Sequence, residues 1–270
     1  MNGEAVYQTL RLTNRAMIRA FLNQDRPLTA YALGDLDDAF WPDSVFYGAQ
    51  RDGVLESLVL LYHGLDPVVL TAFGEPGGVQ AIFESVVLPR EIYYLWLPEM
   101  EPLLDEVFER PNMHTEWRMV LDAAAFDPPP MDAVTRITPD QADLLAELYR
   151  HAADPGEAIV AFSPWQIAHG VFYGMWIDGE LVATAGTHVW APEECVAAIG
   201  NVFTRPEFRG RGYASQCTAA VVAEALAEGI DPLVLNVRYG NEAAIHVYEK
   251  LGFRRAATFL EGPGLKRVAR

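Results

Sequence analysis

The stretch Asn201-Val202-Phe203-Thr204-Arg205-Pro206-Glu207-Phe208-Arg209-Gly210-Arg211-Gly212-Tyr213-Ala214 decides how the rest of the chain is read. It begins as a β-type run at Val202, Phe203 and Thr204. It breaks at Pro206, which cannot donate to a central sheet ladder. It then presents two arginines alternating with two glycines and opens into a long apolar segment of helical character. Glycine lets backbone N–H groups turn toward a ligand with no side chain in the way. A helix N-terminus adds unpaired N–H donors and partial positive charge. Strand, basic glycine loop and helix together describe a cradle for a pyrophosphate. No Gly-Lys-Ser/Thr follows, so this is not a Walker A loop. The third glycine of a dinucleotide fingerprint is missing, and Leu233 to Asn236 stand where its acidic residue belongs.

The segment Arg209, Gly210, Arg211, Gly212, Tyr213, Ala214 resembles the acyl-CoA loop, Arg/Gln-x-x-Gly-x-Gly/Ala, of the GNAT superfamily of N-acyltransferases. The preceding V-x-T-x-P stands at the spacing that the family uses. A second segment is similar as well: Asn241-x-x-Ala244-x-x-x-Tyr248-x-Lys250-x-Gly252-Phe253 resembles the GNAT segment after the fifth strand. Asn241 and Tyr248 are close to two helical turns apart and share a face.

The resemblance implies an N-acetyltransferase using acetyl-CoA as acyl-donor co-substrate, with no metal. It implies that Val202, Phe203 and Thr204 pair with the pantetheine arm like an added strand, and that a backbone N–H there polarises the thioester carbonyl. It implies that residues Arg209 to Ala214 hold the pyrophosphate, and that Asn241 contacts the cofactor arm. Tyr248 faces the sulfur as general acid for the leaving thiolate; a phenol titrates near about 10, so it is protonated at neutral pH. The acceptor is a small-molecule or peptide primary amine. Tandem members of the family include mycothiol synthase-like enzymes, so an aminosugar–cysteine conjugate stands among the acceptors. No base is assigned: Glu193, Glu194, His188 and His246 are weighed, and none has a spacing argument. The rival reading is an acyl-CoA-binding regulatory or interaction module without turnover.

Working outward, the C-terminal half reads as strand Ala133 to Ile137, helix Asp140 to His151, a loop Asp154 to Phe162, and a short helix from Ser163-Pro164 through His169. Strands Val171 to Ile177 and Leu181 to Trp190 flank an Asp178-Gly179 turn, and Cys195 to Thr204 follows. After the glycine loop come helix Tyr213 to Glu228, strand Leu233 to Arg238, helix Glu242 to Leu251 capped by Asn241, and a last strand Phe253 to Phe259. This is the GNAT order, and the resemblance covers about residues 132–262. The N-terminal half follows the same order. Its helix Leu28 to Phe40 is expected to turn Asp35, Asp37 and Asp38 to water, and Asp52-Gly53 marks a hairpin. Gly74-Glu75-Pro76-Gly77-Gly78 sits where the cofactor loop should be, with no arginine and with a Glu75 that would repel a pyrophosphate. We therefore expect an α+β protein of two tandem GNAT-like mixed-sheet domains. Residues 1–126 form the degenerate one, 127–131 the proline-rich linker, and 132–270 the domain carrying the acyl-CoA site. The degenerate half would wall the substrate pocket or form an interface.

The bulk properties agree. The net charge is −17, with 8 basic against 20 acidic residues in 1–130 and 12 against 17 in 131–270. That excludes nucleic acid as main partner, and leaves Arg205, Arg209 and Arg211 as a local positive spot suited to an anionic cofactor. No apolar run suggests a membrane span, and Met1 to Asn14 lacks a signal-peptide core; a cytoplasmic protein is expected, with a homodimer left open. Cys195 and Cys217 do not make a disulfide scaffold. Six histidines without C-x-x-C or H-E-x-x-H spacing give no metal site.

Overall fold

The structure is a computed structural model that describes residues 7–152 and 162–267. The loop expected at Asp154 to Phe162 lies, but for its last residue, outside the described residues. In chain order the first elements are β1 (Gln8–Leu12), α1 (Arg15–Leu22), α2 (Arg26–Gly34), β2 (Ser44–Arg51), β3 (Val54–Tyr62), β4 (Val68–Gly74) and α3 (Pro76–Ser85). Then come β5 (Glu91–Trp96), α4 (Glu101–Val107), β6 (Phe108–Glu109) and β7 (His114–Leu121). The remainder is β8 (Val134–Arg136), α5 (Ala142–Tyr149), α6 (Pro164–His169), β9 (Tyr173–Ile177), β10 (Glu180–Ala191), β11 (Val196–Thr204), α7 (Tyr213–Ala227), β12 (Leu233–Arg238), α8 (Glu242–Lys250) and β13 (Phe253–Lys266). Among the described residues no helix is long and apolar enough to cross a membrane.

Packing divides the chain into two units, Met1–Trp117 with Ala257–Arg270, and Arg118–Ala256. The division falls inside β7 and β13, each of which contributes residues to both units, and the proline-rich stretch 127–131 lies within the second.

In the first unit the strand order is β1-β2-β3-β4-β5-β13. Neighbours are antiparallel except β4 and β5, which run parallel. Local chemistry explains the connections. Asn14 accepts from the N–H groups of Ala16 and Met17 and so starts α1. Asp52 and Gly53 both take positive φ, 52° and 79°, as a two-residue hairpin turn requires. β3 carries an unbroken apolar run, Leu58 to Leu61, because it lies between two strands and is buried over that run. Helix α2 stops at Gly34, earlier than the sequence pattern suggests, and this overturns the expected solvated acidic face: Asp35 and Asp37 are buried, and only Asp38 reaches solvent, beside Arg15. The Asp37 carboxylate is used locally, accepting from Ala39 N–H. The Asp35 carboxyl is pushed up to about 8 by burial.

The second unit has the order β8-β9-β10-β11-β12-β7, antiparallel from β8 to β11 and parallel between β11 and β12. Asp178 and Gly179 repeat the hairpin device with φ of 51° and 85°. Helix α7 packs on β9, β10 and β11 and buries Cys217, Ala219, Val221, Val222 and Ala225 completely. Its small side chains let the helix approach the sheet closely. Cys217 is a packing residue whose thiol burial pushes up to about 12. On a separate cluster, Ile137, Leu145, Leu148, Tyr149, Ile167 and Phe172 close around Phe203.

The two units therefore share one plan, and in each the strand beside the fifth comes from the other half of the sequence: β13 beside β5, and β7 beside β12. The last strand runs seven residues past the expected Phe259 end, through Gly262, Pro263 and Gly264. Those residues do not break it, because β5 pairs with β13 from Leu260 opposite Trp96 to Leu265 opposite Glu91 and holds it extended.

Candidate active site

The site begins where two parallel strands part. β11 and β12 pair at Ala197–Leu233, Ala198–Val234 and Ile199–Leu235. Beyond Ile199, β11 continues through Thr204 while β12 continues through Arg238, so a fork opens between them. On the other side β11 stays paired with β10, but the register shifts between Thr184/Phe203 and Gly186/Gly200, the signature of a bulge at Asn201 and Val202. Asn201 takes a φ of 54°, the left-handed region that non-glycine residues enter at a cost. The surroundings fix it there. Its side chain donates to Gln166 Oε1 at 3.2 Å and faces His188 Nε2 at 3.3 Å, and its carbonyl accepts from the Tyr149 hydroxyl at 3.1 Å. Burial pushes the Tyr149 phenol up, which keeps it a donor.

After the bulge, Arg205 N–H donates to Val182 O at 3.0 Å. Strand alternation then turns the backbone of Phe203 toward β10 and that of Thr204 toward the fork. The structure thus separates the three predicted strand residues. Phe203 is buried in the apolar cluster, whereas Val202 and Thr204 are half-buried. The Thr204 hydroxyl is buried with no hydrogen-bond partner among the described residues.

The loop lies at the mouth of the fork. Gly210 and Gly212 have φ of 75° and 81°, and Gly212 is the N-cap of α7. A Cβ on Gly210 would meet no atom within 4 Å, and one on Gly212 only Gln216 Nε2 at 4.0 Å. Both glycines are therefore required by backbone conformation and face open space. Arg209 and Arg211 are exposed. Arg209 Nε donates to the Thr204 carbonyl at 3.1 Å, and Arg211 donates to the Glu207 carbonyl at 3.4 Å with its guanidinium 5.2 Å from the Phe208 ring. Arg205, expected to share in the positive spot, is instead neutralised by Glu180 at 2.7 Å and Glu207 at 2.8 Å. Tyr213 and Ala214 form the first turn of α7 and are half-buried.

The second motif is on α8, directly after β12. Asn241 caps the helix, its Oδ1 accepting from Ala244 N–H at 3.2 Å. Tyr248 is 7% exposed and stands edge-on to Phe253 with ring centroids 6.1 Å apart. Of the groups weighed as bases, Glu193 and His246 are exposed and Glu194 is buried in the turn after β10. His188 reaches the bulge through Asn201. Sequence reasoning missed three supporting residues. Gln166 and Tyr149 come from α6 and α5, and the signal that could have pointed to them is Asn201 itself, a polar turn-former inside an apolar strand. The third is Arg118 on β7, 1% exposed, whose Nε donates to Asn236 Oδ1 at 2.6 Å on the β12 arm of the fork. An arginine in the run H-T-E-W-R-M-V-L was its trace in the sequence.

A split parallel pair with a glycine–arginine loop and helix N-terminus at its mouth defines the class. Residues 139–253 match the acetyltransferase (GNAT) family. Over 94 residues the chain is 32% identical to the mycothiol acetyltransferase of Paenarthrobacter aurescens, covering 34% of this chain and 29% of that protein. Over 79 residues it is 35% identical to the [ribosomal protein bS18]-alanine N-acetyltransferase of Salmonella typhimurium, covering 29% of this chain and 51% of that protein. The chain thus spans about a third of the one relative's length and half of the other's. As a fold, it is similar along 98% of its length to a tandem GNAT protein from the clavulanic acid biosynthesis pathway, covering 100% of that chain with a TM-score of 0.59 at 12% identity. The expected tandem mixed-sheet GNAT architecture is what the structure shows.

Proposed function

We propose that this chain is an N-acetyltransferase that moves the acetyl group of acetyl-CoA to a primary amine by direct attack of the amine on the thioester. The observation that carries the reading is the fork between β11 and β12, with the Thr204 backbone turned to it and an open, positive-φ glycine loop at its mouth. Acetyl-CoA supplies the activated acyl carbon and a thiolate leaving group. The backbone of Val202 and Thr204 on the fork side pairs with the amide-bearing pantetheine arm, as a sheet edge takes an added strand. The N–H groups of Gly210 to Ala214, with the Arg209 and Arg211 guanidiniums, bind the pyrophosphate at the start of α7. The strained Asn201–Val202 bulge offers a backbone N–H to the carbonyl oxygen as negative charge develops. The Asn241 amide reaches the cofactor arm, and Tyr248 gives its phenolic proton to the departing sulfur as the C–S bond breaks and the C–N bond forms. The amine proton leaves to solvent or to a base.

The acceptor is a small molecule or a peptide N-terminus; relatives named for mycothiol and for a ribosomal-protein alanine put both classes in the test panel. The test is release of free CoA thiol from acetyl-CoA against amines, aminosugar conjugates, amino acids and short peptides. Release with one class supports transferase activity and names the acceptor. Tight acetyl-CoA binding in a thermal-shift measurement with no release from any acceptor would overturn turnover in favour of a binding module.

A further inference from the structure

The first unit brings together three side chains that the acetyl-transfer reading does not use. His114 and Glu116 stand two apart on β7, so they project from one face of the strand. Glu261 comes from β13, the neighbouring strand. One ligand atom from each of the three lies within 4.8 Å of the others. All three are half-buried.

The imidazole is oriented in the way a metal ligand needs. Its Nδ1 lies 3.4 Å from the Asn112 carbonyl, and its Nε2 lies 3.2 Å from Glu116 Oε1. With the ring proton on Nδ1, the Nε2 lone pair points at a carboxylate oxygen. In that tautomer a cation between the two relieves the repulsion; in the other, Nε2–H donates to Glu116. Ion–ligand bonds of about 2.0–2.1 Å in a tetrahedron set neighbouring ligands about 3.3 Å apart, close to the Nε2–Oε1 separation. The outer residues are also in place. The Tyr93 hydroxyl on β5 donates to Glu261 Oε1 at 2.8 Å, and Pro263 opposite Tyr93 and Glu261 opposite Leu95 put the two side chains on one sheet face. Orienting donors of this kind, a carbonyl behind the histidine and a hydroxyl behind the carboxylate, are what metal sites use to fix their ligands.

We propose that His114, Glu116 and Glu261 bind a divalent first-row transition cation, with Zn²⁺ the best match, tying β7 to β13 in the first unit. One imidazole and two carboxylates suit a borderline ion better than a soft one such as Cu⁺, which takes sulfur, or Ca²⁺, which takes six to eight oxygens. Three protein ligands leave a position for water. The proposal is independent of the acetyl-transfer reading, and its test does not read activity.

Tag-free protein stripped with chelator is titrated with Zn²⁺ by calorimetry, and with Co²⁺ by visible absorption. One equivalent per chain is expected, together with a rise in melting temperature. Histidine NMR should show His114 Nε2 as the nitrogen that shifts. His114→Ala and Glu261→Gln should each weaken binding at least about 100-fold, and Tyr93→Phe roughly 10-fold. His63→Ala, an exposed histidine of the same unit, should leave it unchanged. Absence of stoichiometric Zn²⁺ and Co²⁺ binding by the folded wild type overturns the proposal and leaves a protonated His114–Glu116 pair. So does binding that survives His114→Ala or moves a different histidine. The wild-type titration and NMR decide the matter even if a variant fails to fold.

Discussion

The two units reach the same point in their plan and treat it differently. After β4 the chain spends one residue, Glu75, before entering α3; after β11 it spends eight, Arg205 to Gly212, before entering α7. Both connections are glycine-rich, but the glycines do different work. In the first unit they make room for the protein itself. A Cβ on Gly74 would lie 2.0 Å from the Glu56 carbonyl, and one on Gly78 would lie 2.3 Å from Ser57 Oγ, whose hydroxyl donates to the Glu75 carbonyl. In the second unit the glycines face open space and the flanking side chains are arginines. A glycine count cannot tell close packing from an open loop; what lies in front of the missing Cβ can.

The sharpest way to break the comparison is to close the second loop. Arg209→Ala with Gly212→Asp removes a guanidinium, forces an L side chain into a φ of 81°, and adds negative charge. CoA affinity should fall about 100-fold or more by calorimetry, with an unchanged circular dichroism spectrum. Unchanged affinity would remove the pyrophosphate cradle. The reciprocal change, Glu75→Arg, should add no second equivalent of CoA.

Next in size, Tyr248→Phe should lower kcat about 100-fold while leaving the acetyl-CoA Kd within about twofold. Wild-type turnover in that variant would end the general-acid role.

The glycines themselves give a smaller, paired contrast. Gly74→Ala meets backbone at 2.0 Å with a φ of 95° and should cost about 2–3 kcal/mol in chemical denaturation without touching CoA affinity. Gly210→Ala meets nothing and should cost about 1 kcal/mol or less of stability while weakening CoA binding. The same effect from both would mean that the loops are not distinct.

A pH-dependent contrast concerns the buried Asp35 of the first unit. Its folded carboxyl titrates at about 8 against an ordinary value of 3.8. Between those values the folded protein keeps a proton that the unfolded chain has released. Stability is therefore lost as pH rises through this window, by up to about 1.4 kcal/mol per pH unit from this group. Asp35→Asn should lack that loss, so its melting temperature should exceed the wild type's by about 10 °C more at pH 8 than at pH 5. Parallel curves would show that the carboxyl is not held protonated.

Much of this was legible in the chain. The hairpins at Asp52-Gly53 and Asp178-Gly179 were readable because positive φ at both turn positions demands such residues. The Asn241 cap was readable for a similarly local reason, and the Arg209–Ala214 loop before α7 because its glycines stand in consecutive turn positions. What was misread depends on distant partners. Asp35 and Asp37 look like a wet helix face until the helix stops at Gly34 and the chain folds over them. Arg205 looks like part of a cationic spot until Glu180, 25 residues away, closes on it. The last strand looks finished at Phe259 until β5 holds residues 260–265 extended.

The sequence by itself determined the order of elements, the likeness to the GNAT family, and the place of the glycine loop before α7, because local backbone preference and a short motif suffice for those. The tertiary structure alone decided which strand completes each unit, where β11 and β12 part, and which side chains meet at Asn201 and at Glu261. Those depend on pairings between residues tens to more than a hundred positions apart, and no local pattern in the chain encodes them.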